Sequence, residues 1–332
     1  MAYSFNFSWL IQPIVGMGLF SKAKKTAGWL SINMQLDGIY VVHVSAVAIS
    51  KPQVDLLAFY PADKSPVTKT LAQIGKELHL ERYRCTNLLN ESDYQLLSVE
   101  SPNVPRDELK TAVRWRVKDS LDFRIDDAVI DVLEVPVDLN APERRGSLFV
   151  VAANGQFIRQ RQETFEEAKL AVKVIDIPEL AQRNISTLLE PAGRGVALLS
   201  CDDQGVLLTV TFGGELCLAR HFDVSLGQLL DADPEQRRQS YDRITLELQR
   251  SFDHFESQFR FIAIAKLVVA PMGEDDANLQ QYLASNLYMP VELLDLATLL
   301  DLSRVPELQQ PRYQQRFFLA LGAALRVETE FS

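Results

Sequence analysis

The segment GWLSINMQLDGIYVVHV, residues 28–44, reads as two apolar strands separated by a short polar turn. The turn is QLDG, residues 35–38, and Asp-Gly is a preferred dipeptide at the tip of a β-hairpin. A third strand is predicted over residues 53–60, ending before a proline. The chain therefore begins with three successive strands, of which the first two form a tight hairpin.

The same triplet of strands returns in the second half of the chain. EPAGRG, residues 190–195, is the best candidate for a linker, because proline and glycine interrupt helices and strands. After it, strands are predicted over 196–200, 205–212 and 215–221, joined by CDDQ and GG turns. Helices and single strands follow each triplet, so the chain carries an internal duplication. This order predicts an α/β protein with two sheets, each flanked by helices, and a cleft between the halves.

Composition limits the classes of function. With 332 residues the chain has room for about two domains, and its 47% hydrophobic and 23% charged residues are typical of a globular protein. A net charge of -10 disfavours a nucleic-acid partner, because no basic surface is implied to neutralise phosphates. Three cysteines and four histidines are scattered without metal-ligand spacing. This pattern indicates no metal site and a reducing compartment.

The first twenty residues, MAYSFNFSWLIQPIVGMGLF, are unusually apolar. The lack of a basic start and of a cleavage pattern disfavours a signal peptide, and polar residues with Pro13 disfavour a membrane-spanning helix. Three interpretations stay open. The segment is a disordered or loosely docked tail, or it precedes a true start at Met17. Alternatively, residues 1–25 form an interfacial contact in which aromatic residues and a lysine cluster touch an anionic membrane.

A helix predicted over residues 106–120 combines an apolar face with a basic one. The basic residues are Arg114, Arg116 and Lys118. They could dock an acidic partner or lipid headgroups. An equally weighted alternative is a solvated face whose arginine stems lie along apolar surface. A last apolar helix is predicted over 312–327.

Four segments together resemble the PilM family of type IV pilus assembly proteins. In chain order they are LKTAVRWRVKDSLDFRIDDAVIDV (109–132), LTVTFGGELCLARHFDVSLGQL (208–229), ITLELQRSFDHFESQF (244–259) and FFLALGAALR (317–326). The resemblance extends from about residue 19 to residue 327. It implies the actin-like, ribonuclease H-like (ASKHA) fold, a duplicated two-domain α/β fold with a cleft between the domains. The LQRS and ESQ motifs look most like the family member of the mannose-sensitive haemagglutinin (MSHA) pilus.

The resemblance also implies a function. It describes a cytoplasmic scaffold at the inner face of the inner membrane, which binds the tail of a bitopic PilN-like protein and meets other pilus platform proteins. By position, the partner-binding residues would be Arg114, Arg116, Lys118 and Phe123. The cytoplasmic part of the type II secretion protein GspL is a close cousin, so a secretion platform remains the alternative.

The resemblance divides the chain into three parts. Residues 1–20 form an apolar tail of open role. Residues 21–190 form a first domain with a partner-binding subdomain near 80–135. Residues 191–332 form a second domain, whose final helix, 312–327, is expected to pack back on the first.

Three turns hold the nucleotide in actin-like ATPases, through backbone amides and carboxylates that order magnesium. By position, the matching residues here are Asn33, Gln35, Asp37, Ser200, Asp202 and Gly273. Each turn departs from the family pattern. Asn33 and Ser200 replace acidic residues, and Pro271 in the third turn lacks an amide.

We therefore expect a degenerate site with no catalytic residues and no cofactor. The opening turn would then only connect two strands. The alternative is a weak ATPase in which Asp37 or Asp202 takes over magnesium coordination, because the alignment of turns of different length can slip by one residue.

Overall fold

The computed structural model describes residues 25–45, 51–138, 146–273 and 276–327. The apolar segment 1–20, with the interpretations attached to it, lies outside the described residues. None of the helices in these described ranges combines the length and the hydropathy that a membrane-spanning segment requires.

The described strands, in chain order, are β1 (Trp29–Gln35), β2 (Gly38–Ser45), β3 (Gln53–Pro61), β4 (Cys85–Leu88), β5 (Tyr94–Glu100), β6 (Ala128–Glu134), β7 (Ser147–Asn154), β8 (Val172–Asp176), β9 (Gly195–Cys201), β10 (Val206–Phe212), β11 (Glu215–Phe222), β12 (Ile264–Val269) and β13 (Val291–Leu293). The α-helices are α1 (Val67–Glu77), α2 (Leu109–Val117), α3 (Gly155–Glu167), α4 (Pro178–Ser186), α5 (Leu226–Leu229), α6 (Pro234–Gln258), α7 (Asp276–Asn286) and α8 (Pro311–Ala324).

Two five-stranded sheets share one topology. The first has the order β3-β2-β1-β4-β8, and the second has the order β11-β10-β9-β12-β13. In each sheet the first three strands of the chain pair antiparallel, and the last two join in parallel. The duplication inferred from the order of strands is therefore present, and the predicted actin-like fold class is confirmed.

A third, three-stranded sheet is inserted into the first half of the chain. Its order is β5-β7-β6, and both pairings are antiparallel. Alternate residues of β7 face opposite sides, as the period of a strand requires. Leu148 and Val150 pack under α2, whereas Phe149 and Val151 join the main core. We call β5, β6, β7 and α2 the inserted unit.

Two helices fill the space between the large sheets. All nine residues of α4 are buried, and α4 packs on β9, β10 and β11, whereas α8 packs on β1 and β2. The two helices also pack on each other. A Cβ atom at Gly322 would lie 2.2 Å from the carbonyl oxygen of Ala181, so this contact brings the helices together backbone to backbone. The last described helix is thus seated on the first sheet.

Several sequence-based boundaries were wrong. The helix expected over 106–120 is an α-helix only over Leu109–Val117, with single 3₁₀ turns on both sides. The helix expected from Tyr241 begins at Pro234, because Asp233 accepts a hydrogen bond from the Glu235 amide as an N-cap. Strand β5 was not predicted. The final helix ends at Ala324 and not at Val327.

Candidate functional site

Both hairpin turns line one cavity of about 390 Å³ between the large sheets. The first half contributes the β1–β2 turn and residues 88–91, which are the last residue of β4 and the three that follow it. The second half contributes the β9–β10 turn, His221 on β11 and the side of α8 around Arg316. We call this cavity the cleft. Of the predicted nucleotide residues, it brings together Asn33, Gln35, Asp37, Ser200 and Asp202.

In the first turn, the acidic side chain is already paired. Asp37 Oδ2 accepts hydrogen bonds from Tyr40 Oη at 2.5 Å and from Arg316 Nη2 at 2.8 Å. Arg316 Nη2 also donates to Tyr40 Oη at 2.9 Å, which closes a triangle of contacts. Burial, reinforced by the hydrogen bond to Asp37, raises the pKa of Tyr40 to about 12. Tyr40 is therefore a permanent donor to Asp37 at neutral pH.

In the second turn, the acidic side chain binds its own backbone. Asp202 Oδ1 accepts hydrogen bonds from the amides of Gln204 at 2.8 Å and of Gly205 at 3.1 Å. Burial raises the pKa of Asp202, and these two amides oppose the rise. An anion-binding turn presents such amides to a ligand. Here the carboxylate of Asp202 already occupies two of them.

A buried carboxylate joins the inserted unit, α4 and the second sheet. Glu179 Oε2 accepts from Tyr94 Oη at 2.6 Å, and Glu179 Oε1 pairs with His221 Nε2 at 2.9 Å. The other ring nitrogen of His221 lies 3.2 Å from Glu91 Oε1. Burial by itself lowers the pKa of His221, but hydrogen bonds and charge from Glu179 and Glu91 raise it to about 9. The imidazolium form therefore predominates at neutral pH.

The remaining predicted nucleotide residues are held in different ways. Ser200 Oγ donates to Gln182 Oε1 at 2.5 Å, and Asn33 is buried on β1. Gly273 is absent from the described lining of the cleft, and a Cβ there would lie 3.4 Å from Arg312 Cα. Gly273 therefore lies against α8, one helical turn from Arg316, and is not among the described residues that line the cleft.

The predicted partner-binding residues lie on the inserted unit, and two of them serve its own structure. Arg114 donates to the carbonyl oxygens of Ile125 and Ala128, the latter at 3.3 Å. Arg116 Nη1 donates to the carbonyl oxygen of Glu100 at 2.7 Å. These contacts tie α2 to the ends of β5 and β6. Each guanidinium group thus already donates at least one hydrogen bond within the inserted unit.

The exposed face of α2 presents other groups. Lys118 is exposed, and Phe123 is half-buried in the loop that follows the helix. Trp115 is 68% exposed, although tryptophan is usually well buried. We call Trp115, Lys118 and Phe123 the α2 surface.

Sequence reasoning missed Trp115 and Arg316, and also the buried Glu179 with its partner Tyr94. The signal for Trp115 was present, because it lies off the apolar face of its helix. No local signal marks Arg316, since Asp37 lies 279 positions away in the chain.

Comparison with known proteins identifies the fold. No model of a protein family matches the chain, and no curated protein sequence matches it significantly. Among solved structures, a PilM-PilN type IV pilus biogenesis complex contains a chain with TM-score 0.69 and 21% identity. The alignment covers 92% of this chain and 98% of that one.

Two other solved structures are less similar. The cytoplasmic domain of EpsL, an inner membrane component of the type II secretion system of Vibrio cholerae, has TM-score 0.43 and 17% identity, over 63% of this chain and 76% of that one. A Bacteroides thetaiotaomicron protein with an actin-like ATPase fold has TM-score 0.48 and 12% identity, over 88% and 99%. The chain thus shares one fold, over almost its whole length, with a component of a pilus biogenesis complex.

Proposed function

We propose that this protein is a PilM-like scaffold of the inner-membrane assembly platform of a type IV pilus. The observation that carries the proposal is the correspondence of fold along 92% of this chain with a chain of a PilM-PilN complex. The four PilM-like sequence segments support it independently, because they occur in the same order along the chain. On this account the protein lies at the cytoplasmic face of the inner membrane and binds the tail of a PilN-like bitopic protein.

We assign the finer identity from the sequence motifs. The LQRS and ESQ motifs of α6 favour an MshI-like protein of the MSHA pilus. Other platform proteins would bind the same scaffold. A GspL-like role in type II secretion is the alternative, and residues 1–25 would add a peripheral membrane contact in either case.

We place the tail on the inserted unit. Its outer strands, β5 and β6, each have one edge unpaired within the unit, and an extended peptide can add to such an edge or lie in a groove beside it. Trp115 offers a large apolar surface at small cost in conformational entropy, which is typical of a binding hot spot. Arg114 and Arg116 would act indirectly, by holding α2 against the strands.

We also propose that the cleft binds no magnesium nucleotide. Asp37 is paired with Arg316, and Asp202 accepts from two amides of its own turn. Carboxylates outnumber cations among the described lining residues, which opposes a polyanion. The fold then serves as a framework that holds the inserted unit.

The test is a titration of the purified protein with a fluorescent peptide of the tail of an MSHA PilN-like protein. We expect binding that Trp115→Ala weakens at least about tenfold, equivalent to about 1.4 kcal/mol. The matched control is Tyr288→Ala, which removes a fully exposed aromatic side chain from the second half.

Two results would count against the proposal. One is a lack of binding at high micromolar peptide. The other is an equal response of the two variants, which would place the tail elsewhere. A parallel titration with a tail peptide from a type II secretion platform separates the pilus role from the secretion role.

A further inference from the structure

A smaller cavity, of about 190 Å³, lies between the inserted unit and the second half of the chain. We call it the edge groove. Its described lining comes mainly from three places: strand β11, the inserted unit and the end of α6. No described residue of the β1–β2 turn or the β9–β10 turn lines it, so the edge groove is separate from the cleft.

One wall of the edge groove is the outer edge of β11. Four consecutive residues, 217–220, line the groove. Because the side chains of a strand alternate between its two faces, a cavity that touches four residues in succession lies along the edge and not over one face. β11 is the outer strand of the second sheet, and among the described strands it pairs with β10 alone. Every second residue of such a strand points its backbone N–H and C=O away from the sheet, where another strand can pair with them.

The opposite wall is the face of the inserted sheet that α2 does not cover. It is formed by Leu96 and Ser98 on β5 and by Ser147 and Phe149 on β7. In each strand the two residues are two positions apart, and Ser98 pairs with Phe149, so all four share one face. Leu148, between the two residues of β7, points the other way and packs under α2. The edge groove and the α2 surface are therefore on opposite faces of the inserted sheet.

The groove combines apolar surface with a free positive charge. The half-buried Leu96 and the buried Phe149 supply apolar surface. Arg220 is exposed, and no hydrogen bond or ion pair joins its side chain to any residue that the structure describes. None of the described residues that line the groove is acidic, in contrast to the cleft. An accessible guanidinium with its donors free is suited to a carboxylate.

The shape of the groove fits a short extended segment. Four residues of a strand span about 13 Å, at about 3.4 Å per residue. Peptides add to exposed sheet edges in this way, and main-chain hydrogen bonds then give affinity while side-chain contacts give specificity. His254 and Gln258, one turn apart on α6, close the third side of the groove and add polar groups next to Arg220.

We propose that the edge groove binds an extended acidic segment of a partner protein, which adds to β11 as a sixth strand of the second sheet. A Val, Ile or Leu side chain of the segment packs on Leu96 and Phe149, and an Asp or Glu carboxylate pairs with Arg220. Because the inserted unit belongs to the first half of the chain and β11 to the second, the bound segment contacts both halves. The proposal rests on the groove itself and does not depend on tail capture by the α2 surface.

The experiment uses the full chain to select peptides from a phage-displayed library of random dodecamers. We expect the selected peptides to carry β-branched or aliphatic residues at alternate positions, together with Asp or Glu. Synthetic versions are then titrated by fluorescence anisotropy. In an added strand only every second amide of the peptide donates to the protein. Of two peptides N-methylated at alternate positions in opposite phases, one should therefore bind at least tenfold more weakly and the other should bind as the unmodified peptide does.

Two variants test the site on the protein. Arg220→Gln should weaken the acidic peptide about threefold, since an exposed ion pair contributes little, and should leave the amide version of the peptide unchanged. Ser98→Trp fills the groove from the exposed Ser98 and should weaken both peptides at least tenfold, while a circular dichroism melt reports whether the variant stays folded. The matched control is Arg82→Gln, which removes an exposed arginine of the first half and should leave binding unchanged.

Other outcomes overturn the proposal. Failure to select any peptide, or an equal response of the two N-methylated peptides, contradicts strand addition. Unchanged binding in a folded Ser98→Trp contradicts the site. Trp115→Ala should leave the selected peptide unaffected, and a loss as large as that in Ser98→Trp would place the peptide on the α2 surface. A PilN-like tail that binds although no peptide is selected would overturn this inference and leave the proposed function standing.

Discussion

The two hairpin turns that line the cleft occupy equivalent places in the duplicated sheets, yet their acidic residues are satisfied in different ways. In the β1–β2 turn, Asp37 depends on Arg316, which α8 supplies from the far end of the chain. In the β9–β10 turn, Asp202 depends on the amides of its own loop. The duplicated topology therefore fixes the positions of the two turns, whereas the hydrogen-bond partners of their acidic residues depend on the side chains nearby.

The β1–β2 turn therefore depends on the packing of α8 against the first sheet, whereas the β9–β10 turn depends only on its own residues. Arg316 reaches Asp37 only because α8 is seated on the first sheet, and a buried ion pair just after the end of α8 holds the chain there. Arg326 Nη1 lies 2.8 Å from Asp176 Oδ2, and both side chains are buried. We expect the first turn to respond to changes in α8 and the second turn to ignore them.

The largest expected effect comes from Asp176→Asn. The substitution keeps the shape of the side chain but removes the charge that faces Arg326. Removing one partner of a buried pair costs about 3–5 kcal/mol. Urea unfolding at pH 7 should show this loss of unfolding free energy.

The control for that measurement is Glu247→Gln, which breaks an exposed pair with Arg250 and should cost less than about 0.5 kcal/mol. An effect of Asp176→Asn as small as the control would show that α8 does not depend on this pair.

The next effect is a dependence on pH through His221. Its folded-state pKa, about 9, lies above the ordinary value of 6.5, so the protonated form is favoured by folding. Its contribution is therefore complete below pH 6.5 and is lost as the pH rises through 9. Between pH 6.5 and pH 9, we expect the unfolding free energy of the wild type to fall by on the order of 2–3 kcal/mol more than that of His221→Gln.

The pH dependence of the unfolding free energy of His221→Gln must be subtracted from that of the wild type, because Glu215 titrates in an overlapping range of pH. Burial raises its pKa to about 7, which gives an opposite preference for the neutral form. Parallel curves for the wild type and His221→Gln would contradict the assigned contact of His221 with Glu179 and Glu91.

A smaller effect is expected in the second turn. Asp202→Ala leaves the amides of Gln204 and Gly205 without their acceptor, which should cost about 1 kcal/mol of unfolding free energy. Asp202→Asn keeps an acceptor oxygen and should cost much less. If the two variants were equally destabilised, the charge of Asp202 and not its hydrogen bonds would be what matters.

The smallest effect is expected at the first turn. Arg316→Met breaks the ion pair with Asp37, and both side chains of this pair are partly exposed. The loss of unfolding free energy should therefore not exceed about 1 kcal/mol. Asp37→Asn is the reciprocal change, and the double variant should cost little more than either single one, because the two residues act as a pair. Additive losses would show that the contact is not made in solution.

Much of the fold could be predicted from the sequence because it rests on local patterns. The hairpin at 35–38 and the second triplet of strands both show in the spacing of apolar residues and in turn residues. Strand β5 was missed because most of its residues are only half-buried, so its pattern is weak. The start of α6 was missed although Asp233 and Pro234 form a standard start signal.

The candidate site was harder to predict because its decisive contacts are long-range. Sequence comparison of the turns pointed to Asp37 and Asp202, and both line the cleft. No local sequence pattern near Asp37 predicts its contact with Arg316, and none near Glu179 predicts its contacts with His221 and Tyr94. Gly273 was grouped with the other turns by alignment alone; it packs on α8 beside Arg312 and is absent from the described lining of the cleft.

The most direct test of the central claim is a calorimetric titration of the wild type with Mg-ATP, with ADP in parallel. The account predicts no binding heat at millimolar nucleotide, because Asp37 is paired with Arg316 and Asp202 accepts from two amides of its own turn. Binding at micromolar concentration would contradict it, and would mean that Arg316 releases Asp37 to bind nucleotide.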